Sequence, residues 1–418
     1  MSSPSSAPRA AHPGHSAQSA QSAASGLSPA LTLVFAVACG LCVANIYYAQ
    51  PLIGPISDTL QLHAGLAGLI MTLTQLGYGA GLLLLVPLAD VVENRRLIVG
   101  ALFGAVIGLV GIALSNSAVT FLAASFVVGT CAVAAQVLLP FASHLAPEAT
   151  RGKVVGNIMA GLLGGIMLAR PFASVVASAL GWRAVFWVSA VLMATLIAVL
   201  WRALPQRHPH ASMGYARTMA SLPGIVLNTP VLRRRGLYQG MMFSGFQAFW
   251  TAVPLALAHE FGMGQGGIAA FALAGAAGAL MAPIAGRLAD RGLTRPATGV
   301  AIAVALFSFV LGAVAMHYHS LAGLVAAGIL LDGAVQLCQV LNFRSLFMLA
   351  PELRGRLNGL FMTFIFICAA VASGIAAAVY AFHGWSGLCL LGGGYVLVAL
   401  LYYATEFRRQ PSPAAVGR

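Results

Sequence analysis

One carboxylate in this chain stands in the middle of a long apolar run. Asp332 follows Leu330 and Leu331, and Gln336 and Gln339 come four and seven positions later. On a helix those spacings put the three polar side chains on one face. Such a face cannot point into hydrocarbon, so it lines a cavity or packs on a partner. A carboxyl group in a cavity that opens to each side in turn can be protonated from one side and deprotonated on the other, which is the chemistry of proton coupling. The plainer reading is a structural Asp satisfied by its helix neighbours. A second charge, Arg170, also stands in an apolar run, with Pro171 after it. A guanidinium keeps its proton, so Arg170 cannot carry one; it can pair with a carboxylate or bind an anionic group. Pro171 removes an N–H and loosens its helix there. The alternative for Arg170 is snorkelling to the membrane surface.

Further polar and aromatic residues recur at helical spacing in other apolar runs. They are Asn45 and Tyr48, Gln75 and Tyr78, Gln136, and the set Gln239, Phe243, Phe246, Gln247 and Trp250. A wall of mixed rings and amides suits a small organic solute with an apolar body, although each residue alone serves packing equally well.

The elements that must hold these residues follow from composition. Of 418 residues, 60% are hydrophobic and 7% charged, with mean hydropathy +0.90. Soluble domains are nearer a quarter charged, so the chain is read as an integral membrane protein. Its apolar runs do not alternate and last about twenty residues, which makes them helices rather than barrel strands. Twelve are expected, at about 31–54, 65–89, 96–115, 118–142, 153–177 and 182–203, then 236–258, 267–288, 296–316, 321–343, 357–381 and 386–406.

The chain is also a duplication. Pro87-Leu88-Ala89-Asp90, Ala146-Pro147-Glu148 with Arg151-Gly152-Lys153, and Gly181-Trp182 recur as Gly286-Arg287-Leu288-Ala289-Asp290, Ala350-Pro351-Glu352 with Arg354-Gly355-Arg356, and Gly384-Trp385. Two fused membrane halves place a site between them, as in a transporter. The expected organisation is a disordered tail (1–28), a six-helix bundle (29–203), a linker (204–235), a second six-helix bundle (236–407) and a short tail (408–418). A short surface helix is expected within Met213–Leu227 of the linker.

The net charge of +13 suits nucleic acid until topology is considered. With the N-terminus in the cytoplasm, twenty of the 22 basic residues fall in tails and inner loops; only Arg183 lies outside and Arg170 within a helix. The positive-inside rule accounts for the excess, puts both termini in the cytoplasm and removes the nucleic-acid reading. All six cysteines fall in expected helices, which argues against a disulfide framework or a metal site.

Twelve helices in two sixes, an Asp-bearing loop after the second helix of each half and a long basic central loop resemble the major facilitator superfamily over residues 30–407. Its loop signature, Gly-x-Leu-Ala-Asp-Arg-x-Gly, is similar to Gly286–Gly292; in the first half Leu88, Ala89, Asp90, Arg95 and Arg96 match, with Val86 and Glu93 in place of the glycines. The segment from Asn45 to Leu52, Leu168-Ala169-Arg170-Pro171 and Leu331-Asp332-Gly333 resemble the bacterial efflux branch grouped with arabinose-efflux-type permeases. The resemblance implies a cavity lined by the first, fourth, seventh and tenth helices, with Asp332 looking into it. It implies an inner gate at Asp90, Arg95, Arg96, Gly286, Asp290 and Arg291, where a carboxylate accepts hydrogen bonds from a helix start; the alternative is that these residues only set topology. By helix length Arg170 and Asp332 differ in depth by roughly 9 Å, which permits a pair in one state of a cycle rather than in all. The drug–proton antiporter pattern is missing: the fourth helix has no basic residue, and the fifth has Arg170-Pro171 where those branches carry Gly-Pro.

No phosphate-binding loop surrounds the single lysine, Lys153, so nucleotide drive is excluded, and no catalytic set stands out. The chain is expected to be a secondary transporter of the bacterial inner membrane, exporting a small solute against protons and needing no cofactor. Uptake with protons remains open, as does a solute receptor of the same fold.

Overall fold

A computed structural model describes residues 28–148, 150–206, 214–349 and 354–408, and every regular element among them is helical. Nine of these helices are long and apolar enough to cross a membrane. The last of the nine, Gly355–Phe407, is two passes joined at Gly384, whose φ of 62° turns the chain sharply. Two more passes are broken. The first runs through Pro29–Ala44 and resumes at Ile53–Leu60 after a tight turn at Gln50–Leu52; the eighth runs through Gln265–Gly275 and Met281–Asp290, joined by Ala276–Leu280. That makes twelve passes in two bundles of six. They are numbered below in chain order.

Local chemistry sets the ends. The hydroxyls of Ser28, Ser117 and Ser320 accept from the N–H groups of Leu31, Thr120 and Gly323 and start helices 1, 4 and 10. Gly181, at φ 84°, turns helix 5 into helix 6 as Gly384 turns helix 11 into helix 12. Only glycine adopts such angles without strain, and the repeat of Gly-Trp in both halves marks the same turn built twice.

Helix 7 departs from expectation. It begins at Pro230, not near 236, so Arg233, Arg234 and Arg235 are helical. Proline suits a first helical position, and the arginines find partners that keep this polar turn wound. Arg234 binds Glu406 (3.4 Å) and the Thr405 hydroxyl, and Arg235 reaches Thr298. The connection between the halves carries a helix at Tyr215–Asn228, anchored where the Tyr215 hydroxyl donates to the Leu84 carbonyl (3.0 Å). The expected tails 1–28 and 408–418 lie outside the described residues apart from Ser28 and Arg408, as do Arg207–Met213 and the repeat motif Ala350–Glu352. The six cysteines are free thiols.

Helices 1 and 5 cross at van der Waals limit. A Cβ on Gly165 would lie 2.2 Å from the Gly40 carbonyl oxygen, and one on Gly161 would lie 2.5 Å from that of Ala36. Small residues are what let membrane helices approach this closely. Of the third-helix glycines, Gly104 and Gly108 are close-packed in the same way, but Gly100 has open space beside it. Gly165→Val is expected to cost about 1–3 kcal/mol through overpacking, read as a lower melting temperature of the detergent-solubilised protein.

The halves meet unevenly. The helix ends bearing Arg95, Arg151, Arg202 and Arg344, with the Tyr215–Asn228 helix, define a basic side. On the opposite side the halves are shut: the Thr72 hydroxyl donates to the Ala370 carbonyl (2.9 Å), and helix 5 packs on Gln265–Gly275 of helix 8. Toward the basic side helix 5 has no comparable contact with Met281–Asp290, and helices 4 and 10 part. The molecule is open on the basic side.

Candidate functional site

The opening leads to a cavity of about 510 Å³ between the halves, within the usual range for small-molecule sites. Leu139, Val155, Met159, Phe343 and Asn358 line its mouth; Tyr47, Arg170, Phe246 and Asp332 lie at its closed end. Most of the wall is apolar, and the stacked rings of Phe243 and Phe246 (5.2 Å apart) form one panel.

The two mid-membrane charges meet at this end. The Trp250 indole N–H donates to Asp332 Oδ1 at 2.7 Å, and the Arg170 guanidinium lies 4.3 Å from the centre of the same indole. No ion pair joins Arg170 to Asp332 among the described residues; Trp250 stands between them. The expected depth difference was too large because helix 10 continues to Phe347. Asp332 is then 15 residues from its basic-side end and Arg170 is 19 from Arg151, a difference of about 6 Å. That gap an indole can bridge. Arg170 is 4% exposed, so it does not snorkel. Its guanidinium packs over the rings of Tyr47 (5.2 Å) and Phe246 (5.4 Å), and its Nε donates to Gln50 Oε1 at 2.7 Å.

Helix 8 closes over the pair. A Cβ on Gly275 would come within 2.6 Å of the Trp250 ring, and one on Gly278 within 2.4 Å of Asp332 Cβ. The two glycines let that helix lie flat on both side chains and shield them from lipid.

Of the other cavity candidates, Tyr78, Gln136, Gln336 and Gln339 line the wall, with Gln136 Nε2 donating to the Tyr78 hydroxyl at 3.1 Å. Five do not. Asn45 is tied to helix 6, accepting from Ser189 (2.6 Å) and donating to Met193 Sδ. Tyr48 packs its ring on Phe172. Gln75 is buried between the halves and accepts from Ser373. Gln247 is fully buried inside the fold. Trp250 acts behind the wall, through Arg170 and Asp332. Tyr47 and Gln50, neither assigned a role from sequence, contact the guanidinium instead. Residue 50 is 21 positions past Pro29 and residue 170 is 19 past Arg151, so equal depth was the available signal for Gln50.

The expected gate residues do not form one cluster in this open state. Asp290 pairs with Arg344, both in the second half, rather than with a helix start. Arg96 pairs with Glu93 (3.1 Å), and Arg95 lies 4.4 Å over the Trp201 ring. Asp90 faces a smaller cavity shared with Thr218, Leu222, Gly355 and Arg356. Gly286 has open space beside it, and Arg291 is exposed.

The comparisons agree with this architecture. The profile described as Major Facilitator Superfamily matches residues 33–339 and 236–417. The "Uncharacterized transporter YgaY" of Escherichia coli O157:H7 is 41% identical over 385 residues, 92% of this chain and 97% of its own. The "Probable transporter SCO4007" of Streptomyces coelicolor is 31% identical over 382 residues, 89% of this chain and 87% of its own. A crystal structure of the nucleoside transporter NupG, in a point-mutant form, superposes with a TM-score of 0.71 at 14% identity, covering 90% of this chain and 99% of that one. A twelve-pass helical duplication with a central cavity, matched by the profile over both halves, belongs to the major facilitator superfamily of transporters.

Proposed function

We propose that this transporter moves a small organic solute by alternating access, coupled to protons, with Asp332 as the proton carrier. One observation carries the reading: a carboxylate and a guanidinium from different halves meet, through Trp250, at the closed end of a cavity open to one side. Rocking the halves would expose the same two groups to the other side. We place the protein in a bacterial cytoplasmic membrane with the basic side, and so both termini, in the cytoplasm. Export in exchange for protons is the direction supported by the resemblance to efflux permeases. Uptake together with protons uses the same groups, and the pairing of opposite charges in one site favours it.

The test is wild-type protein in liposomes with an imposed pH difference and a pH-reporting dye inside. Sugars, nucleosides, amino acids, organic anions and cationic drugs are added in turn. Proton coupling predicts that at least one solute speeds collapse of the pH difference. No acceleration by any solute, with protein shown to be folded, removes it. The sign of the pH change separates exchange from co-transport.

A further inference from the structure

The closed end of the cavity holds donors that lack acceptors. Arg170 spends its Nε on Gln50, but its Nη2 is buried with no hydrogen-bond partner, and so is Gln50 Nε2. Gln50 cannot turn its amide to help, because its oxygen is already taken by the guanidinium. A buried donor left unmet is costly, and Arg170 and Gln50, joined by one hydrogen bond, each carry one. The rings of Tyr47, Phe246 and Trp250 hold the guanidinium by cation–π contact but accept no conventional hydrogen bond. Asp332, the carboxylate at this end, gives one oxygen to the Trp250 N–H. What completes such a site is an anion.

We propose that the transported solute is an organic monoanion with an apolar body, bound by Arg170, which Gln50 holds in place from behind, and that it binds together with one proton taken up by Asp332. The proposal rests on Asp332 being the proton carrier and adds the class of solute. Charge balance supplies the second half. The site's own side chains supply one positive and one negative group in a mostly apolar cavity. An anion on Arg170 leaves Asp332 as excess negative charge, and uncompensated charge in such surroundings is strongly disfavoured. A proton from the aqueous mouth, added to the Asp332 carboxylate, restores neutrality. The titratable and charged groups facing Asp332 are Arg170 from helix 5 and Tyr47 from helix 1; Trp250 donates from helix 7, and helix 8 brings Gly275 and Gly278 against it. A cationic solute would have to sit beside Arg170 and be repelled. Anion and proton therefore travel in the same direction. The apolar body fits against Ile46, Leu162, Met167 and Phe243.

The probes are benzenesulfonate, naphthalenesulfonate and benzoate, with benzylamine and benzyl alcohol as matched cation and neutral. Binding to purified wild-type protein is followed by calorimetry, and proton uptake by a pH indicator in weak buffer. At least one anion is expected to bind at least about tenfold more tightly than amine or alcohol, as a charged hydrogen bond warrants, with about one proton taken up per anion. Arg170→Gln is expected to lose about tenfold or more in anion affinity, and Arg170→Lys to recover part of it. Asp332→Asn is expected to bind the anion with no proton uptake. The assignment is overturned if no anion binds, if benzylamine binds as well, or if wild type binds anions without taking up protons. Proton-coupled movement of amines or neutral solutes alone overturns the anion assignment and leaves proton coupling standing. No proton movement with any solute overturns both.

Discussion

Liposomes carrying Asp332→Asn are expected to move solute only down its own gradient, whatever the pH difference across the membrane. Asn keeps the size of Asp, and its carbonyl oxygen can still accept from the Trp250 indole, which donates at 2.7 Å in the wild type. The substitution therefore removes the proton and not the shape. With one proton per solute, a pH difference of one unit corresponds to about 1.4 kcal/mol and sustains about a tenfold concentration ratio. The wild type should approach that ratio and the variant should stay at one. Exchange of labelled for unlabelled solute should persist, because it needs no net proton movement. Accumulation in the variant equal to wild type would show that Asp332 does not carry the proton.

A single methyl group on the closed side is the second large lever. Gly68 of helix 2 lies against helix 11 so tightly that a Cβ would stand 2.2 Å from the Ser373 carbonyl oxygen and 3.1 Å from Gly374 Cα. Both neighbours are backbone, so no rotamer change relieves the contact. Gly68→Ala is expected to push the halves apart on this side and to disfavour the state open on the basic side. Overpacking of this kind costs about 1–3 kcal/mol, which shifts a two-state balance by about 5- to 150-fold. The readout is labelling of Met159→Cys, at the cavity mouth, from the basic side. It should slow sharply in the Gly68→Ala background, and net transport should fall with it. Gly65→Ala is the control: its Cβ would meet the Phe382 ring at 3.7 Å and the Ala378 Cβ at 4.0 Å, ordinary contacts, and labelling should stay near wild type. Equal behaviour of the two would mean this contact does not gate access.

Much of this was legible in the chain, for definable reasons. A charge inside an apolar run is visible in any sequence, and Asp332 and Arg170 stood out for that reason. The duplication was visible because the Gly-Trp turns need glycine at positive φ in both halves. The partners of those charges were harder to see. Helix 7 is buried almost continuously from Tyr238 to Leu257, so periodicity could not say which of its faces meets the cavity, and Gln247 and Trp250 could not be told apart. The α-helical winding of helix 1 ends at Ala44 and resumes at Ile53, so a helical period counted along it does not carry through Tyr47 and Tyr48. The approach of Gly275 and Gly278 to Trp250 and Asp332 leaves no trace in hydropathy, because it depends on a neighbouring helix and not on local pattern.

The charged pair lies across the seam of the duplication: Arg170 comes from the first half, and Asp332 with Trp250 from the second. In a two-fold dimer of identical halves each contact between one residue and another of the partner occurs twice. Two first halves so paired would set each Arg170, on helix 5, against a helix 4 that carries no acidic residue, and two second halves would leave two Asp332 carboxylates without a cation, in each case uncompensated charge in an apolar enclosure. A single pair of opposite charges across this axis needs halves that differ, and joining the halves in one chain leaves them free to diverge. The covalent link thus does more than tether two bundles: it permits a heterologous site at the centre of an otherwise symmetric scaffold.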